Sequence, residues 1–277
     1  MELEMHTVNA NGAIMPALGF GTYELQGTTA ADMVEAALGI GYRHIDTAQA
    51  YDNEEAVGVG IAASGLPREE IFLTTKVSPS RFRPNELQRS LDESLARLET
   101  PYVDLLLLHW PNPDMPLKDT MAALNDMRRI GRARHIGVSN FPSAMVDEAI
   151  RFSDEPLAVD QVEYHPLLAQ GRLLNALHGH GMGLTAYSPL AQGRVFNDET
   201  LTGIGQAHGK TAGQVALRWL IQQDGVCAIP RSSSIDHARS NFDIFDFELS
   251  PDEMRKIHKL SLGRRRLVDP EDSPDWD

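Results

Sequence analysis

Gly19-Phe20-Gly21-Thr22-Tyr23-Glu24 separates the two α/β architectures open to this chain. A doubly wound open sheet that binds a dinucleotide carries G-x-G-x-x-G between its first strand and the next helix. Here the third glycine is replaced by Glu24. The other G-x-G, Gly58-Val59-Gly60, lies inside a helical pattern. The stretch therefore reads as a strand opening into a loop, and the open sheet is set aside.

Working outward, the upstream piece, residues 7–14, has Asn11-Gly12 between apolar residues and predicts a β-hairpin. Candidate strands follow at 17–21, 42–45, 71–76, 103–109, 134–138, 158–162, 183–187 and 226–229. Helical patterns lie between them. One runs from Pro84 through Leu87, Leu91, Leu95 and Leu98, with leucines three and four apart and Pro in the first turn. Another covers 214–220. No linker rich in Pro, Gly or Ser divides the chain. Eight strands alternating with helices in about 250 residues predict a (β/α)8 TIM barrel with an N-terminal hairpin, one domain over 1–277.

Composition narrows the function classes. The chain has 277 residues, 42% of them hydrophobic, enough for a sizeable core. A formal charge of -14 disfavours nucleic acid and anionic membranes as partners, though a local pocket can still be basic. A single cysteine, Cys227, excludes an intrachain disulfide. MELEMHTVNANG lacks the basic-then-apolar pattern of a signal peptide, and no apolar run approaches the roughly 20 residues that span a bilayer. A cytoplasmic monomer is expected.

Barrel active sites form where strands end. Gly21, Thr22 and Tyr23 end or follow the first strand, and Asp46 then Tyr51 follow the second. Lys76 ends the third, His109 and Trp110 the fourth, Ser139 and Asn140 the fifth, Glu163 the sixth, Tyr187 and Ser188 the seventh. After the eighth comes Pro230-Arg231-Ser232-Ser233-Ser234. Each polar residue alone has an ordinary structural use: a strand-end Asp caps a turn, and a Lys is a solvated charge. Asp46, Tyr51, Lys76 and His109 converging on one rim are harder to explain that way, because burying them unpaired costs several kcal/mol.

The four suit one chemistry. A free phenol, with a pKa of about 10, is a poor acid at neutral pH. An adjacent ammonium favours the phenolate and is expected to lower that value. A carboxylate keeps the ammonium charged and in place, and a neutral imidazole can orient a carbonyl oxygen. The set fits proton donation to a carbonyl oxygen while a nucleophile attacks carbon. No protein nucleophile is evident, so a cofactor hydride would fill the gap. Two alternatives stand: a Schiff-base aldolase built on Lys76, and a nucleotide-binding regulatory barrel without useful turnover.

At this point the chain resembles the aldo-keto reductases. The resemblance runs nearly end to end, through "MPALGFGTY", "GYRHIDTAQAYDNEEAVG", "TTKV", "DLLLLHWP", "IGVSNF", "QVEYHP", "YSPLAQG" and "IPRSSS". The tail "RRLVDPEDSPDWD" and the short loops look closest to bacterial 2,5-diketo-D-gluconate reductases. The resemblance implies Tyr51 as general acid, tuned by Lys76 and Asp46, with His109 orienting the carbonyl. It implies NADPH as cofactor, with some NADH use. Ser139, Asn140 and Gln161 would hold the carboxamide, and Tyr187 would stack on the nicotinamide. Gly21, Thr22, Asp46, Ser188, Pro189, Leu190, Gln192 and Gly193 would lie along the cofactor. Arg231 with Ser232, Ser233 and Ser234 would meet the 2′-phosphate, and His237 and Asn241 would lie near the adenine. Tyr23, Tyr51, His109 and Trp110 would line the pocket for a small carbonyl substrate.

Four departures matter. The aromatic that members often carry soon after the catalytic Lys is absent from "KVSPSRF". Arg231 stands where members often have Lys, and keeps the charge while adding a fork suited to phosphate. His237 replaces a common Arg, so strict NADPH selectivity is not expected. The tail is short, which predicts an open pocket. His178-Gly179-His180 lacks a nearby Cys or carboxylate cluster, so no metal is expected. Arg264-Arg265-Arg266 reads as a solvated turn, or as a basic group at the pocket mouth that attracts anionic substrates.

Overall fold

The computed structural model describes residues 6–263 and 266–277. A two-stranded antiparallel hairpin, β1 (Thr7–Ala10) and β2 (Ala13–Pro16), turns at Asn11-Gly12, where both residues have positive φ. Eight parallel strands follow: β3 (Phe20–Gly21), β4 (His44–Asp46), β5 (Phe72–Val77), β6 (Val103–Leu108), β7 (Ala133–Ser139), β8 (Leu157–Glu163), β9 (Gly183–Tyr187) and β10 (Val226–Ala228). They pair in chain order. Bridges Leu18–Ala228 and Gly21–Arg231 join the first to the last and close a (β/α)8 barrel.

The strands are buried on both faces, which is why β6 reads as a nearly continuous apolar run. All six residues of β6 and all seven of β8 are buried. Helices pack outside. Pro84–Arg97 buries Leu87, Leu91 and Leu95, the predicted leucine face. Helix Ala212–Ile221 is capped at both ends of a box, Thr211 accepting from Gln214 N–H and Gln214 answering at Thr211.

The first strand is shorter than predicted, because Ala17 and Leu18 pair through isolated bonds to the 228 region rather than a full ladder. The second starts two residues later, since the Tyr42 N–H is spent on Ala37 O at 3.0 Å, while its hydroxyl reaches Ala238 O at 2.9 Å. That shift makes Asp46 the last residue of β4. Gly58 and Gly60 sit in helix Glu54–Ala63, where an added Cβ would meet Arg97 O at 2.9 Å and Ala31 O at 2.5 Å. Close helix packing, not phosphate binding, explains that G-x-G. Among the described residues no helix is long and apolar enough to cross a membrane.

Candidate active site

The strand ends bring the predicted four residues together. Asp46 closes β4, Lys76 is next to last in β5, and His109 follows β6, with its N–H donating to Val77 O at 3.1 Å. Tyr51 ends the short 3-10 turn Gln49–Tyr51, after which Asp52 takes a left-handed φ of 52°. This loop is pinned from three sides. Gln26 Nε2 donates to Tyr51 O at 2.8 Å, and Gln49 Nε2 to Ser90 O at 3.0 Å and Ser94 Oγ at 2.9 Å. Asn53 Nδ2 donates to Thr22 O at 2.8 Å and Leu25 O at 2.9 Å. Sequence reading missed these supports, which carry no motif.

Lys76 is fully buried, and each of its three N–H donors has an acceptor: Asp46 Oδ1 at 2.5 Å, Thr47 O at 2.8 Å and Tyr51 Oη at 3.2 Å. Burial works hardest against its charge, yet Asp46 and then Tyr51 together hold its pKa above the usual lysine value. A Schiff-base lysine must be neutral to attack, so this environment disfavours the aldolase alternative. Because the Tyr51 oxygen accepts from Lys76, its own O–H is free to point elsewhere.

The Tyr51 pKa departs from the sequence expectation. Burial raises it above 10, and the opposing pull of Lys76 does not overcome that. The phenol is therefore protonated at neutral pH. His109 packs edge-on to Tyr51 with ring centroids 5.7 Å apart. Burial, reinforced by the Lys76 charge, lowers its pKa to about 3, so the imidazole is neutral.

The floor is a second network. Gln161 Nε2 donates to Asp46 Oδ2 at 2.7 Å, which leaves its Oε1 as an acceptor. Ser139 Oγ donates to Gln161 O at 2.7 Å. Asn140, at φ 63°, donates through Nδ2 to His109 O at 3.0 Å and accepts from Tyr187 Oη at 2.8 Å. Past β9, Ser188, Ala191, Gln192 and Gly193 all have positive φ, with Pro189 and Leu190 among them, so the backbone is sharply kinked at the rim.

Other predicted positions have structural uses as well. An added Cβ at Gly21 would meet Ile229 O at 2.9 Å, so barrel closure requires a glycine there. Thr22 is buried and donates to Asp46 O at 3.0 Å. Arg231 donates to Tyr23 O at 3.0 Å and to Glu24 Oε2 at 3.2 Å. Ser232 Oγ donates to Ser234 O at 2.8 Å; Ser234 caps helix Ile235–Phe242, while Ser233 and His237 are exposed and Asn241 is buried near its end. His178 and His180 do not converge, one meeting Asp224 O and the other Asp147.

The substrate side is aromatic. Tyr23 lies edge-on to Tyr51 at 5.1 Å. The tail does not leave the mouth as open as its length suggested: Trp276 lies 6.1 Å from Trp110. Glu163 Oε1 and Oε2 accept from Leu267 N–H at 2.8 and 3.1 Å, and Oε2 from Val268 N–H at 2.9 Å. Asp277 accepts from Ser143 N–H and Oγ at 2.9 and 2.7 Å, at the start of helix Ser143–Phe152. Arg264 and Arg265 lie outside the described residues.

The aldo/keto reductase family model matches residues 17–262. A glyoxal reductase of Bacillus subtilis (strain 168) is 42% identical over 263 residues, 95% of each chain. A solved structure, provisionally assigned as a 2,5-diketo-D-gluconic acid reductase B, is 47% identical with a TM-score of 0.96, covering 99% of this chain and 98% of that one. The aldose reductase of Schistosoma japonicum is 30% identical with a TM-score of 0.90, over 95% and 94%.

Proposed function

Because the chain belongs to the aldo/keto reductase family, we propose that it is an NADPH-dependent carbonyl reductase, a single barrel domain acting on small aldehydes, α-keto acids and α-dicarbonyl compounds. 2,5-Diketo-D-gluconate and glyoxal fit this class, as the names of similar proteins suggest. The observation that carries the reading is the Tyr51 hydroxyl 3.2 Å from a buried ammonium locked on Asp46 at 2.5 Å.

The residues present suit the dinucleotide. Gln161 has a spare amide oxygen for the carboxamide N–H, and Tyr187 stands at the rim with its hydroxyl already used. Arg231 and the Ser-capped N-terminus of helix Ile235–Phe242 offer a cation and backbone donors for a phosphate. When bound, the dihydronicotinamide supplies the hydride. Tyr51 gives its proton to the carbonyl oxygen as negative charge develops there. Lys76 stabilises the phenolate that remains, Asp46 and Thr47 O hold Lys76, and neutral His109 donates a hydrogen bond that orients the carbonyl. An assay of aldehydes, α-keto acids and dicarbonyls with NADPH and NADH tests the reading; no turnover of any of them would leave the regulatory barrel.

Arg231→Ala is expected to weaken NADPH by roughly 1.5–3 kcal/mol, the worth of a charge-assisted contact, and NADH far less. Glu24 competes for the same guanidinium, so the loss falls in the lower part of that range. Equal weakening of both, by fluorescence titration, would remove Arg231 from the phosphate. His237→Arg should shift preference further towards NADPH.

His109 links stability to pH. Folded, it binds a proton only near pH 3; unfolded, near 6.5. Between those values the unfolded chain holds the extra proton, so acid favours unfolding. The stabilisation is full above about pH 6.5 and is lost as pH falls towards 3. Buried His44, also shifted down, acts in the same sense. The urea midpoint of the wild type should drop through that window, and that of His109→Gln should drop less. Parallel curves would contradict the assignment.

A further inference from the structure

We infer that Arg266 is a specificity residue that receives the carboxylate of a keto-acid substrate at the pocket mouth. Its guanidinium lies 3.6 Å over the centre of the Trp276 ring. Trp276 in turn packs against Trp110, directly after His109. Stacking occupies the face of the guanidinium and leaves its edge donors free. Nη1 is buried and has no hydrogen-bond partner among the described residues.

Three carboxylates face this charge, Glu163, Asp269 and Asp277. Each is committed elsewhere. Glu163 takes the backbone N–H groups of Leu267 and Val268 and the His165 ring at 2.9 Å. Asp269 takes Trp276 Nε1 at 2.9 Å. Asp277 takes Ser143, with Arg172 at 3.5 Å. Among the described residues Arg266 is thus held over the aromatic wall without an ion pair, in a chain whose formal charge is -14. The overall field repels a keto-acid, so a local cation with idle donors is what would retain one. Arg266 as a whole is only half-buried, so a substrate carboxylate can meet the accessible edge of the guanidinium in charge-assisted hydrogen bonds.

An orphan guanidinium could also take a phosphate of the dinucleotide. Arg266 also faces Tyr187, but the donors suited to the dinucleotide phosphate lie at Arg231 and at helix Ile235–Phe242, and the Trp276–Trp110 contact puts Arg266 on the substrate wall, which favours the carboxylate. The inference rests on the carbonyl reduction proposed above, and the test separates the two. Phenylglyoxylate and its methyl ester are compared in the wild type, Arg266→Met and Arg266→Lys at saturating NADPH, with NADPH affinity followed by fluorescence quenching. In Arg266→Met, kcat/KM for phenylglyoxylate should fall about ten- to hundredfold, mainly through KM, with the ester almost unchanged. Arg266→Lys should recover part of the loss, since it keeps the charge without the fork. A similar fall for acid and ester, or weaker NADPH binding with the acid-to-ester ratio unchanged, would overturn the inference. A wild type that reduces neither compound would take the carbonyl-reductase reading down as well.

Discussion

Tyr51→Phe is expected to lose about 10²–10⁴-fold in kcat, the usual contribution of a positioned proton donor. The ring stays, and with it the edge contacts to Tyr23 and His109. NADPH should therefore still bind and quench tryptophan fluorescence. Burial keeps the phenol protonated at neutral pH and above, so the donor form is fully populated where the reaction runs. The wild-type kcat/KM for reduction should then show no fall due to Tyr51 between neutrality and pH 9. Near-normal turnover by the Phe variant would refute the proton-donor role.

Lys76→Met carries the other large effect, and it has two parts. Turnover should be nearly abolished, because nothing then stabilises the phenolate left after proton transfer. Stability should fall too. Lys76 and Asp46 are both almost wholly buried, and removing one partner leaves the other charge unpaired, which costs roughly 3–5 kcal/mol. Adding Asp46→Asn removes that orphaned charge. The double variant should recover much of the urea midpoint while remaining inactive. A single variant as stable as the wild type would show that Asp46 has found another partner or a proton. Recovery of activity in the double variant would contradict the role given to the ammonium.

The barrel was legible because its strands are buried on both faces and each gives way to polar residues at one end. "DLLLLHW" marks β6 and delivers His109 in one reading. Asp46 and Lys76 were legible for the same reason, as polar groups at the ends of apolar runs, and Tyr51 as the phenol five residues past Asp46 in the loop that follows. What escaped depends on burial depth and distant contacts. The direction of the Tyr51 shift follows from how much water the closed barrel excludes, which periodicity does not report. Gln161 reaches Asp46 across 115 positions, and Asp277 reaches Ser143 across 134. Neither spacing forms a motif. The tail has no repeating pattern, so its length suggested an open mouth while its anchoring on Glu163 and Ser143 places Trp276 at the wall. Gly21 shows the converse: a residue matched to cofactor binding is also demanded by the approach of Ile229 O.

Hydride transfer to a substrate carbonyl held by Tyr51 and His109 is tested most directly with NADPH deuterated at C4 of the nicotinamide, prepared separately with the label on each face, and phenylglyoxal as substrate. One of the two preparations should deliver its deuterium to the carbinol carbon of the product, with one label appearing for each NADPH consumed. Product formed without deuterium from either preparation, or no consumption of NADPH, would contradict the account.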